Sequence, residues 1–200
     1  MKSNEPRKAR LTRAESMALT REKLLVSALE TFLQAGYSGA TIEGISENAG
    51  FSRGAFYAHF ASKEDIFLEI VASEADKITP TLIERIEGAS SPSEVIGIVS
   101  GWAEERSQTQ SLAILMFEAM QQARTNGTLD ERYTQLFRQN WHSVGEAMRP
   151  FFPDQRLPCP PEEIVAIIVA LSYSPMVSGA GGHKAGRLVE LTLKALMRQF

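Results

Sequence analysis

The side chains best suited to chemistry lie between Thr41 and Lys63, in the run TIEGISENAGFSRGAFYAHFASK. Arg53 carries a planar fork of donors that can bond a guanine edge in two places at once. Gly54 and Ala55 beside it are small enough to let a helix backbone approach base edges, and Ala55 or Ala58 can touch a thymine methyl. Tyr57 and His59 have polar tips long enough to reach phosphates on a groove wall. Thr41 and Lys63 stand at helix starts, where a hydroxyl, exposed N–H groups and an ammonium favour an anion. The chemistry implied is the reading of a double-stranded nucleic acid rather than bond-breaking.

Three short helices must position these groups. Leu25, Ala28, Leu29 and Phe32 recur on one face of a first helix, with Thr20 as its N-cap, Lys23 at its third position and Gly36 as its C-cap. Ile42, Ile45 and Ala49 line a second that starts after Thr41 and ends at Gly50. Ser52 caps a third, from Arg53 to about Ala58. Ile42, Ile45, Phe51, Phe56 and Phe60 should pack against the first helix. That leaves Ser52, Arg53, Gly54, Ala55, Tyr57 and His59 outward, the arrangement of a helix-turn-helix. Ser62 caps a fourth helix with Asp65 at its third position, and Pro80 is expected to kink or break it.

Charge follows the same division. The chain is −3 overall, but residues 1–63 hold nine Lys/Arg and six Asp/Glu, a net of +3, and residues 64–200 hold twelve and eighteen, a net of −6. One end is thus suited to an anionic partner. Residues 1–18 are read as a basic, flexible arm, 19–63 as the DNA-binding domain and 64–200 as a second helical domain. No stretch alternates as a strand would, so the fold class is all-α with about nine helices. Gly88–Pro92 reads as a linker, followed by helical segments over about 93–107, 109–125, 129–150, 161–177 and 184–199, with Pro175 bending or ending the fourth of these.

The rest of the sequence limits the alternatives. The longest apolar run, Ile164–Leu171, is too short to cross a bilayer, for which roughly 20 residues are needed. The basic N-terminus has no apolar stretch behind it, and one cysteine, Cys159, forbids an internal disulfide, so a cytoplasmic protein is expected. The three histidines, His59, His142 and His183, are far apart, and neither a phosphate-binding GxxxxGK[ST] loop nor HExxH occurs. No catalytic residue, metal or cofactor is therefore expected.

The run Gly50-Phe51-Ser52-Arg53-Gly54-Ala55-Phe56-Tyr57-Ala58-His59-Phe60, with Ser62-Lys63-Glu64, resembles the recognition-helix signature of the tetracycline-repressor (TetR) family. Ala28, Phe32, Gly36, Tyr37, Thr41, Ile42, Ile45 and Ala49 match its upstream pattern, so the resemblance covers residues 20–70. Ala58 departs from the aromatic or polar residue many members carry after the tyrosine, which reduces any base contact there to van der Waals touch. The resemblance implies base contacts from Arg53, Gly54 and Ala55. It places phosphate contacts on Thr41, Tyr57, His59 and Lys63, and it implies a homodimer on a near-palindromic operator. It further implies a larger domain that binds a small-molecule effector. Trp102, Met116, Met120, Tyr133, Phe137 and Trp141 are candidate lining residues, with Gln108, Gln121, Asn140 and His142 as polar companions. Ile164, Ile168, Leu171, Leu188, Leu191 and Leu196 form broad stripes suited to a four-helix dimer interface, or to burial in their own subunit. The alternative is a helical interaction or ligand-sequestering protein without effector-controlled release of DNA.

Overall fold

The computed structural model describes residues 12–109, 114–115, 117–118, 128–175 and 182–198. Among these the regular structure is entirely helical, and the chain divides into two compact units, residues 1–67 and 68–200.

In the first unit, α1 (Arg13–Gly39) begins earlier than expected. Its N-cap is Thr12, not Thr20. The Thr12 hydroxyl accepts from Glu15 N–H and the Glu15 carboxylate returns a bond to Thr12 N–H at 2.7 Å, a complete capping box. Thr20 lies inside the helix, where its hydroxyl donates to the Ser16 carbonyl. Residues 13–18, expected within the flexible arm, are the opening turns of α1. Gly36 does interrupt the helix as foreseen, with φ 73° and ψ 169°, a region open only to glycine, and the bend delivers Tyr37 into the core.

The buried face of α1 differs by one position from the predicted one. Leu24, Ala28 and Phe32 are enclosed together with Ser27 and Thr31, and Leu25 and Leu29 are only half-buried. The hydroxyls make this possible. Ser27 Oγ donates to the Ile45 carbonyl at 2.7 Å, Thr31 Oγ1 donates to the Ser27 carbonyl, and Asn48 Nδ2 donates to Thr31 Oγ1. A buried hydroxyl that finds a carbonyl is not penalised. These bonds tie α1 to α2 (Ile42–Asn48). Ile45, Phe56 and Phe60 complete the core as expected, and Ile42 and Phe51 are half-buried. Phe32, Tyr37 and Phe67 form an aromatic triangle with ring centroids 5.0–5.7 Å apart. Each such buried ring contributes about 1.5–3 kcal/mol by leaving water.

The helix α4 (Lys63–Glu87) contains Pro80 and does not break there, a break being the second of the two expected outcomes. Pro80 is exposed, while Leu82 and Ile86 beyond it are buried in the second unit's core. Packing on the far side of the proline sustains the helix where the local backbone alone would stop it.

The second unit is built from the rest of α4 with α5 (Pro92–Gln108), α6 (Thr128–Met148), α7 (Pro161–Ser172) and α8 (Ala185–Leu196). Ser91 caps α5 by accepting from Glu94 N–H, and α7 ends at Ser172, ahead of Pro175. The α5 and α8 helices pack together, as do α6 and α7. At the first of these contacts a Cβ added to Gly186 would stand 2.6 Å from the Ser100 carbonyl oxygen, so only a hydrogen fits. The expected segment 109–125 lies largely outside the described residues.

Candidate nucleic-acid interface

The α3 helix (Arg53–Tyr57) is one and a half turns long and is entered through a tight turn. Gly50 adopts φ +76° in that turn, which spares a side chain the strain of the left-handed region. Phe51 N–H then donates to the Ser46 carbonyl at 2.8 Å, and Ser52 Oγ accepts from Ala55 N–H at 3.3 Å. Phe56 is the inward anchor, fully buried and 5.6 Å from the Phe60 ring. With Phe56 pointing inward, helical periodicity turns Gly54 and Tyr57 away from it, and Arg53 stands at the first position of the helix. All three are exposed, Tyr57 to 49%, and Ala55 and His59 are half-buried.

Of the expected site residues, Arg53 and Tyr57 are in contact with each other, and the structure adds two refinements. Arg53 is not a free cation. One terminal nitrogen pairs with Glu43 of α2 and the other lies 3.5 Å from the Tyr57 hydroxyl, with the guanidinium over the Tyr57 ring. The Tyr57 hydroxyl and the Glu43 charge hold its pKa above the ordinary arginine value. Glu43 was not singled out from sequence, although its place two residues after the Thr41 cap puts it on the exposed start of α2.

Lys63 is the second refinement. Its ammonium donates to the Tyr37 carbonyl at 2.8 Å and the Ala40 carbonyl at 3.0 Å, and lies 4.6 Å from the centroid of the Tyr37 ring. It closes carbonyl groups at the end of α1, a task often left to C-terminal cations. Burial draws its pKa below the usual lysine range, against the opposing pull of Glu64. Burial and the Glu64 carboxylate, which accepts from the Tyr37 hydroxyl at 3.1 Å, push the Tyr37 phenol upward. Thr41 caps α2 by accepting from Gly44 N–H at 3.0 Å and is exposed.

Residues 24–70 match the family described as bacterial regulatory proteins, tetR family. The match lies within the stretch from α1 to the start of α4. The matched residues take in α2, the turn and α3. It is 34% identical over 69 residues to the HTH-type transcriptional repressor AcnR of Corynebacterium diphtheriae, covering 34% of this chain and 36% of that protein. It is 29% identical over 115 residues to AcnR of Corynebacterium efficiens, covering 58% and 56%. The chain thus spans between about a third and a little over half the length of the curated relatives it matches. The crystal structure of the regulator FadR from Bacillus subtilis in complex with stearoyl-CoA superposes with a TM-score of 0.68 at 16% identity, over 90% of this chain and 98% of that one. That likeness shows a shared fold.

In the second unit, Trp102, Phe137 and Trp141 converge on a cavity of about 60 Å³, with Ile78 and Leu82 of α4 and Val165 and Ile168 of α7. The Phe137 and Trp141 rings lie 5.9 Å apart. Met116, Met120, Gln121 and the side chain of Tyr133 lie outside the described residues. Of the expected polar companions, Asn140 lines the cavity, Gln108 is exposed, and His142 faces Glu162 at 3.3 Å away from it. Arg106 also lines the cavity and was missed. The available signal was its position four residues after Trp102 on α5, which sets both on one face.

The expected dimer stripe divides. Ile164 and Ile168 are 0% and 2% exposed and belong to the core of their own subunit, so they are not open to a partner. Leu171, Leu188 and Leu196 are half-buried, and Leu191 is 48% exposed, as is the neighbouring Ile167 at 40%. No helix among the described residues is long and apolar enough to cross a membrane.

Proposed function

We propose that this chain is a cytoplasmic, ligand-responsive repressor of transcription of the tetR family, which binds a near-palindromic operator as a homodimer and leaves it when a small, largely apolar effector binds. One observation carries the reading: α3 is a short helix whose inner side is locked by Phe56 and whose outer side offers Arg53, Gly54 and Tyr57. A five-residue helix with a glycine at its second position can bring its backbone close to base edges. Each protomer would supply one such helix, and two-fold symmetry would set half-sites about one helical turn apart. Exposed Ile167 and Leu191, flanked by Leu171 and Leu188, support a pairing face on α7 and α8. Release is proposed to work through α4. The stretch Ile78–Leu82 borders the cavity, and the same helix begins at Lys63. An effector that binds one position of α4 better than another shifts the population toward it.

The test is selection of bound DNA from a random pool. A recurrent near-palindrome is the expected product, and binding with no sequence preference would overturn the proposal. Arg53→Ala should relax base preference at a single position per half-site, at a cost of about 1–3 kcal/mol.

A further inference from the structure

The cavity of the second unit contains an unusual cation. Arg106 reaches it from α5, with its guanidinium 5.4 Å from the Trp102 ring and 5.3 Å from the Tyr173 ring. One terminal nitrogen donates to the Tyr173 hydroxyl at 2.6 Å. Its Nε–H is buried with no hydrogen-bond partner, and among the described residues no carboxylate pairs with it. The two aromatic faces soften the burial of the charge but do not neutralise it. Arg106 as a whole is half-buried, and a partly desolvated cation with a buried, unpartnered donor among apolar walls gains from an anion that joins it.

We propose that the effector is an amphipathic organic carboxylate. Its anionic head takes the open donor of Arg106, and its apolar body lies against Trp102, Phe137, Trp141 and Ile168. This rests on the reading of the cavity as an effector site and adds the chemical class. A guanidinium matches a planar carboxylate in shape as well as charge. A neutral ligand of the same shape can accept only a hydrogen bond without charge assistance from Nε–H, and a cationic one meets repulsion. About 60 Å³ holds only a small group, whereas drug-sized pockets reach roughly 300–1,000 Å³. A ligand with a longer tail therefore has to part the helices that border the cavity, Ile78 and Leu82 of α4 among them.

Both tryptophans of the chain line this cavity, so intrinsic fluorescence reports on it directly. The full chain would be titrated with octanoate, octanol and octylammonium, which share one tail and differ in head charge. Octanoate should bind about tenfold or more tightly than octanol, as expected for one charge-assisted hydrogen bond in a dry site. Arg106→Gln should erase that difference chiefly by weakening octanoate, and Arg106→Lys should keep part of it. Equal affinity for octanoate and octanol, preference for octylammonium, or no binding of any of the three would overturn the proposal. So would an anion preference that survives Arg106→Gln. Should Arg106→Gln not fold, the three-ligand comparison on the unaltered chain and on Arg106→Lys decides. The same samples, tested on the DNA selected above, separate the two readings. DNA binding without anion preference removes the effector class alone, and anion preference without DNA binding removes the regulator reading alone.

Discussion

Replacing Lys63 by methionine removes the ammonium and keeps a stem that can cover the Tyr37 ring. The two carbonyls it served, Tyr37 and Ala40, then lose donors at 2.8 and 3.0 Å. Hydrogen bonds to charged groups contribute about 1.5–3 kcal/mol each when protected. Lys63 is only partly buried and water competes, so about 1 kcal/mol per bond is the appropriate scale. A loss of about 2 kcal/mol in a chain of this length lowers Tm by about 4–8 °C. Far-ultraviolet circular dichroism during heating measures this. A second measurement separates clamp from phosphate ligand. The affinity for a short mixed-sequence duplex is followed by fluorescence anisotropy across a salt series. A lysine that neutralises a phosphate adds about 0.9 to the slope of log affinity against log salt. A lysine that clamps α1 adds nothing, so the slope of Lys63→Met should equal that of the unaltered chain while Tm falls. A slope reduced by about 0.9 with an unchanged Tm would refute the clamp and restore the simpler role of a phosphate contact.

Two other substitutions test the packing. Ser27→Ala removes the 2.7 Å bond that joins α1 to the Ile45 carbonyl, which keeps its bond from Ala49 N–H, so the urea midpoint should fall by an amount equivalent to about 0.5–1.5 kcal/mol; a neutral result would mean that water replaces the hydroxyl. Gly186→Ala forces a methyl toward the Ser100 carbonyl where α8 meets α5, with an expected loss of about 1–3 kcal/mol in the same assay, and unchanged stability would show that the two helices can move apart freely.

The first unit was legible in the sequence because its signals are local. The caps at Thr41 and Ser52, the turn at Gly50 and the spacing of Ile45, Phe56 and Phe60 each act within a few residues. The errors arose where a distant partner decides. Ser27 and Thr31 look like surface residues until the Ile45 carbonyl and Asn48 are brought beside them. Pro80 looks like a stop until Leu82 and Ile86 find their core. The broad apolar stripe of α7 contains both Ile164, fully enclosed, and Ile167, 40% exposed, and periodicity alone cannot say which side faces its own subunit. Thr12 is different. Its capping box with Glu15 was present in the sequence and was outweighed by the polar composition around it, although two reciprocal hydrogen bonds suffice to start a helix there.

The resting partners of Arg53 bear on whether this face can read bases at all. Its ion pair with Glu43 is solvent-exposed, with about half of each side chain open to water. Exposed pairs of this kind contribute about 0–1 kcal/mol, because water and salt screen them. A bidentate bond from arginine to guanine discriminates by about 1–3 kcal/mol. Exchanging Glu43 for a guanine edge is therefore favourable. Non-specific phosphate contact gains less, since it too is screened and must still displace a carboxylate that would sit beside the anionic backbone. Glu43 thus weakens the sequence-independent pull of Arg53 on DNA more than it weakens the sequence-dependent one, which reconciles an acidic residue on a DNA-facing helix with a net charge of only +3 over residues 1–63.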